Sequence, residues 1–326
     1  MSSPVDPIDE PYGYLGMTPN PDGSVTRKLE CFPIVPPSYK PDPNPFPVLT
    51  KDIPINLEKK TWARLYLSEI EFNSVQTKKL PLIIYYHAGG FVQGSAASLL
   101  FQNFCFRTAY QIPAVIVSVE HRLAPEYRLP AAYDDGMEVL HWIKTHNDVW
   151  LTTYADLSKC FLMGSSSGGN IVYHVGLRAV ASVDDLAPLK IQGLILHHPF
   201  FGGTQRTDSE VRLSNDKVIP PFVTDVMWEL SLPVGVDRDH EYCNPMVGIK
   251  SEVLMKVKDQ GWRLLVTGCD GDPLVDRQIE FTRMLKDKGL DVIAEFSDKG
   301  CHGCEFVFDS ETEIFCDVVK NFVLFI

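Results

Sequence analysis

From residue 61 onward, apolar and polar positions follow two periods. Thr61-Trp62-Ala63-Arg64-Leu65-Tyr66-Leu67 predicts a half-buried strand. Leu80–Tyr86 and Ala114–Val119 are nearly unbroken apolar runs, the pattern of strands covered on both faces. Lys159–Met163, Ile191–Leu196, Trp262–Thr267 and 291–296 predict four more strands. Helices are predicted over about 96–110 and 131–146, from the serine-rich turn after Met163 to Ala181, and over about 274–288 and 309–324. Strand and helix alternate from residue 80, which predicts an α/β fold with a mostly parallel central sheet flanked by helices.

Two stretches break this rhythm. Thirteen of the 24 prolines fall between Pro4 and Pro54. Proline removes backbone donors and fixes φ, so residues 1–54 are expected to drape over the body as an arm without a regular strand or long helix. The second stretch is the interval of about 65 residues between Leu196 and Trp262, far longer than a usual connection. Phe222, Val223, Val226, Met227 and Leu230 recur there at helical spacing. This insertion, residues 199–260, leaves the carboxyl side of the strands, where α/β sites lie. Together with the arm it is expected to cap the site of a single 1–326 domain.

Of 326 residues, 45% are hydrophobic and 22% charged, enough apolar material for a large core. The net charge of -12 argues against nucleic acid as a partner. No run approaches the ~18 apolar residues of a membrane span. Met1–Asp6 lacks the basic start and apolar run of a secretory signal, so the cytoplasm is the expected compartment. The eight cysteines are then expected to be reduced thiols. Cys301-His302-Gly303-Cys304 contains a Cys-x-x-Cys pair, but no second pair stands at zinc-site spacing. No metal or cofactor is expected.

The chemistry concentrates in two glycine-rich turns. Gly164-Ser165-Ser166-Ser167-Gly168-Gly169 follows a predicted strand and opens a predicted helix. In that context Gly164-x-Ser166-x-Gly168 reads as a nucleophile elbow, a strained turn that exposes one hydroxyl. Of the three serines, only Ser166 has glycine at both minus two and plus two. His87-Ala88-Gly89-Gly90 follows the Leu80–Tyr86 strand. The amides of Gly89 and Gly90, with that of Ser167, are expected to receive a developing oxyanion. His87 is expected to orient this loop rather than transfer protons.

A hydroxyl nucleophile needs a base and an acid, which hydrolases of this type carry in the order Ser, Asp/Glu, His. His174 lies in the helix that the serine opens, and His197 and His198 end the next strand, ahead of any acid. His240 and His302 remain, and only His302 sits on a loop between the last strand and the last helix. The acid is sought in Asp270-Gly271-Asp272-Pro273-Leu274-Val275-Asp276. Asp272 is favoured because Pro273 suits a first helical position. Asp270 and Asp276 stay open on spacing. Phe91, Phe222, Met227 and Trp228 are candidate lining for an apolar substrate pocket.

These residues resemble the hormone-sensitive-lipase-like branch of the α/β hydrolases, and within it the plant carboxylesterases. Besides the turns above, the resemblance rests on His121-Arg122-Leu123-Ala124-Pro125-Glu126, Leu129-Pro130-Ala131-Ala132-Tyr133-Asp134-Asp135 and Asp272-Pro273-Leu274-Val275-Asp276. It extends from about residue 10 to the end. It implies an α/β-hydrolase fold, Ser166, Asp272 and His302 as a triad, and hydrolysis of small carboxylic esters through an acyl-enzyme. Non-hydrolytic relatives, a dehydratase and cyclases of specialised metabolism, define an alternative, as does a methyl esterase acting on an alkaloid or similar metabolite. Gibberellin receptors of this fold, which lose the family histidine, are a third reading. Four positions depart from the family pattern: Ala88 replaces a glycine, Ser165 an acidic residue, Ser167 an alanine and His121 a tyrosine. Arg122 and Glu126 are expected to form an internal ion pair that supports the loop.

Overall fold

The computed structural model of the chain describes residues 9–38, 46–74, 78–145, 147–248 and 251–325. Parts of the expected arm (1–8 and 39–45), His146 at the end of an expected helix, residues 249–250 of the insertion and Ile326 lie outside the described residues. The described chain opens with helix α1 (Asp9–Tyr14) and a hairpin of β1 (Met17–Pro19) and β2 (Val25–Arg27). Strands β3 (Val48–Asn56) and β4 (Thr61–Ser68) and the short α2 (Glu69–Asn73) follow. Alternation begins with β5 (Leu80–Tyr86), α3 (Leu99–Gln111), β6 (Val115–Val119), α4 (Ala131–Thr145) and α5 (Val149–Tyr154). It continues with β7 (Ala155–Ser165), α6 (Ser167–Ala181) and β8 (Ile191–His197). The insertion carries α7 (Asp208–Arg212), α8 (Pro221–Ser231) and α9 (Ser251–Asp259). Then come β9 (Arg263–Cys269), α10 (Val275–Asp287), β10 (Asp291–Ser297) and α11 (Asp309–Leu324).

Among the described residues the main sheet runs β10-β9-β8-β7-β5-β6-β4-β3. β5 to β10 are mutually parallel, and β4 and β3 close one edge antiparallel. Every residue of β5 and β6 is buried, which is why their sequences do not alternate.

The proline-rich stretch corrects one expectation, because β3 lies within it. β3 is the outermost strand, paired only with β4, so the missing N–H of Pro54 costs no ladder bond on its open side. The register also shifts between Pro54 and Asn56. β7 starts four residues earlier than its apolar run, through a half-exposed segment that periodicity does not mark.

Chain order reverses beside β5: the chain passes to β6 on one side, then returns to place β7 on the other. A crevice forms where crossovers leave a parallel sheet in opposite directions, at the carboxyl ends of the strands. The turns after β5 and β7 are therefore neighbours there. These are the two glycine-rich turns, and the segments after β8, β9 and β10 end on the same side.

Candidate active site

Ser166 stands between β7 and α6 at φ 55°, ψ -119°, a conformation that side-chain-bearing residues rarely adopt. Its N–H donates to His197 O at 2.9 Å, and its carbonyl accepts from Asn170 N at 3.1 Å and Phe200 N at 2.9 Å. The backbone is thus held from three sides, which stabilises the strained residue. The flanking glycines are steric requirements. A Cβ on Gly164 would lie 2.2 Å from Gly168 O, and one on Gly168 would lie 1.9 Å from Tyr86 O.

Ser166 Oγ–H donates to His302 Nε2 at 2.9 Å, and His302 Nδ1–H donates to Asp272 Oδ2, also at 2.9 Å. All three side chains are at least nine-tenths buried. Burial alone would lower the His302 pKa, but the Asp272 carboxylate outweighs it and raises it above the ordinary imidazole value. Burial would likewise raise Asp272, yet His302 and His198 hold its carboxyl far below the usual carboxylate range. Asp272 precedes α10 rather than capping it through Pro273. Its Oδ1 accepts from Leu274 N at 2.9 Å, and the helix begins at Val275.

The alternatives lie elsewhere. Asp270 is exposed and pairs with Arg212 at 2.8 Å, while Asp276 accepts from Ser209 N at 2.7 Å. His240 Nδ1 accepts from Tyr242 N at 3.2 Å inside the insertion.

Gly89 and Gly90 have φ of 122° and 61°, whereas Ala88 has no positive φ, so an alanine fits where the family pattern has glycine. Gly89 and Gly90 line the same cavity as Ser166 and His302. Ser167 is the first residue of α6 and is fully buried. His87 turns under the loop: its Nδ1 donates to Ala88 O at 2.7 Å. Its ring stacks on His121 with centroids 4.2 Å apart. Burial holds both imidazoles below their ordinary pKa. Two neutral rings can stack this way without charge repulsion, which gives the His121 departure a structural place.

The cavity beside Ser166 has a volume of about 260 Å³. The arm contributes Tyr14, Leu15 and Phe32, the insertion Phe200, Val218, Ile219 and Met227, and the body Leu100, Phe101, Phe306 and Val307. This corrects three of the four pocket candidates. Phe91 and Trp228 are 1% exposed and pack in the core, their rings 5.5 Å apart. Both rings pack behind Phe200, which lines the cavity in their place. Phe222 is half-exposed and meets Tyr14 edge-on at 5.9 Å, outside the lining. Met227 lines the cavity, and its Sδ would lie 2.3 Å from a Cβ on Gly90.

The expected Arg122–Glu126 pair is also corrected. Arg122 binds Asp135 at 2.7 Å, and Glu126 binds Arg27 of β2, also at 2.7 Å. Arg27 further donates to Val92 O and Ala124 O, both at 2.6 Å. These bonds fasten the arm beside the loop.

Sequence reasoning missed His198, dismissed for its position in the chain. Its Nδ1–H donates to Asp272 Oδ2 at 2.8 Å. Its one sequence signal was adjacency to the end of an apolar strand. Two described clusters have donor atoms close enough to surround an ion: His197 with His198 and Glu305, and His198 with Asp272 and His302. In the second, both Nδ1 atoms already face the carboxylate, an arrangement suited to moving and holding protons. Cys301 and Cys304 join neither cluster. Burial raises both thiols, Cys304 to about 11, which keeps them protonated and weakly nucleophilic.

A strained serine at a strand–helix junction, serving a parallel sheet at its switch point, is the device of the α/β hydrolases. A family model described as alpha/beta hydrolase fold matches residues 83–306, and the chain belongs to that family. It is 51% identical over 326 residues, 99% of each chain, to "Carboxylesterase 20" of Arabidopsis thaliana. It is 44% identical over 323 residues, 96% of this chain and 99% of the other, to "3-O-acetylpapaveroxine carboxylesterase CXE2" of Papaver somniferum. A solved esterase of Pyrobaculum calidifontis matches with a TM-score of 0.67 at 25% identity, over 84% of this chain and 85% of that one. The chain is thus a plant carboxylesterase of the hormone-sensitive-lipase-like branch, a group of carboxylic-ester hydrolases. Among the described residues, no helix is long and apolar enough to cross a membrane.

Proposed function

We propose that Ser166, His302 and Asp272 cleave small carboxylic esters through an acyl-enzyme. His302 Nε2 takes the Ser166 proton as Oγ attacks the ester carbonyl carbon. Asp272 holds the neutral tautomer and stabilises the imidazolium that forms. The amides of Gly89, Gly90 and Ser167 donate to the oxyanion. His302 then passes its proton to the departing alkoxide, leaving an ester between the acyl group and Ser166. Water attacks that ester with His302 again as base, and Ser166 regains its proton as the acid departs. The observation that carries this reading is the unbroken line of two 2.9 Å hydrogen bonds from Ser166 Oγ to Asp272.

The substrate of this reading is an ester with an apolar or aromatic body, because rings and aliphatic side chains form most of the cavity wall. The poppy relative, named for an O-acetyl ester, supports a substrate drawn from specialised metabolism. The arm and insertion act as a cap on a single domain, and both supply cavity residues. The enzyme acts in the cytoplasm, in keeping with its free thiols.

A fluorophosphonate probe tests the assignment. It labels the wild-type protein on the peptide that contains Ser166 and leaves Ser166→Ala unlabelled. Ser166→Ala retains its circular dichroism spectrum and loses about four orders of magnitude or more in turnover. Undiminished turnover in that variant refutes the reading.

A further inference from the structure

The carboxylate at the end of the hydrogen-bonded line is more heavily engaged than the line requires. Asp272 Oδ2 accepts from His302 Nδ1 at 2.9 Å, from His198 Nδ1 at 2.8 Å and from Gln278 Nε2 at 2.9 Å. With Leu274 N on Oδ1, four donors face a group with about four acceptor sites. His198 reaches this position at a cost in backbone strain, with φ 44°. It is the first residue after β8, its N–H donates to Thr267 O at 2.9 Å on β9, and its side chain is buried. Non-glycine residues with positive φ cluster where the surrounding structure imposes a function.

We propose that His198 is a positioning residue of the ester-cleaving site: it holds Asp272 in place and limits the pull of the carboxylate on the His302 proton. The proposal rests on the Ser166–His302–Asp272 reading. Two imidazoles share one oxygen, so the negative charge available to His302 is divided. Without the His198 donor, the charge concentrates on the bond to His302. The imidazolium is then favoured, and a higher pH is needed to free the base. The same sign follows if His198 carries a proton, because removing a neighbouring cation also favours the imidazolium.

The titratable groups around the pair come from every adjoining element. Asp272 follows β9, and His197 ends β8 with its Nε2 3.2 Å from Glu305 Oε2. Asp216 reaches His302 electrostatically from the insertion, and Cys269, Cys301 and Cys304 adjoin Asp272 and the histidine loop. Glu295, Lys299 and Glu311 line a second cavity, separate from the one beside Ser166, that His197 and His198 also border.

The test compares wild type, His198→Ala and His198→Asn in ester hydrolysis across pH, with proton NMR of the downfield imidazole N–H signals. Removing a hydrogen bond to a charged group is expected to lower kcat about tenfold and to move the acid limb of kcat/KM up by about one pH unit. KM changes less than kcat. One of two downfield signals disappears. Asparagine places an amide N–H near the former Nδ1 and tolerates positive φ, so His198→Asn restores the acid limb and most of kcat. If His198→Ala does not fold, His198→Gly, free of the φ penalty, carries the same measurement. An unmoved acid limb, or a His198→Asn variant as impaired as the donor-free one, overturns the proposal. Turnover that survives Ser166→Ala instead sinks the triad reading, which separates the two failures.

Discussion

His302 owes its raised pKa chiefly to the Asp272 carboxylate, with Glu305 and Asp216 adding to it. Burial works against its protonated form, and the Asp272 carboxylate reverses that balance. Below its pKa the imidazole already carries the proton that the proposed reaction has it accept from Ser166, so activity is expected to fall on the acid side. The acid limb of kcat/KM is therefore expected above the reference imidazole value of about 6.5. A pH–rate series with a substrate whose chemistry limits turnover checks this, and a midpoint below 6 contradicts it. At this scale the serine was legible from two glycines, and those glycines now have a steric cause. The histidine was legible from its loop. His198 was not, because a side chain that reaches Asp272 across 74 residues leaves no local pattern.

At the scale of elements, β5 and α6 meet so closely that their junction admits no side chain. Gly168→Ala puts a methyl carbon 1.9 Å from Tyr86 O, with rigid backbone on both sides. Overpacking of this kind typically costs about 1–3 kcal/mol, and a contact against backbone belongs at or above the upper end. Thermal unfolding of Gly168→Ala is expected to show a lowered Tm together with lost probe labelling of Ser166. Wild-type values for both contradict the steric account. The predicted strands from β4 to β10 overlap the observed ones, most plainly β5 and β6, whose burial on both faces leaves an unbroken apolar run. β3 was hidden by the proline-rich stretch around it and by its own Pro54, and an edge strand is where a proline does least harm. Phe91 and Trp228 were misread for the converse reason: aromatic residues mark burial in the core as readily as in a cavity.

Across the whole molecule, the arm and insertion meet over the carboxyl ends of the strands. Tyr14 touches Phe222, and Arg27 ties β2 to the loops that carry Val92, Ala124 and Glu126. Arg27→Ala removes these ties while leaving the Ser166 hydrogen-bond line untouched. The expected result is a rise of about fivefold in KM for an apolar ester, equivalent to one net hydrogen bond, with kcat for a minimal ester little changed. Limited proteolysis within the arm is expected to accelerate. Equal KM and equal proteolysis rates show that the arm does not depend on Arg27.

The sequence by itself determined the α/β alternation and the glycine-flanked serine of the elbow. Each is encoded within a few residues, by hydrophobic period or by the steric demand of one turn. Tertiary structure alone decided which acid faces His302, which apolar residues border the cavity, where Arg122 and Glu126 find partners, and that His198 joins His302 on one carboxylate. Those outcomes depend on which loops the strand order brings side by side. That order is set by the packing of the whole sheet, which no short window of sequence contains.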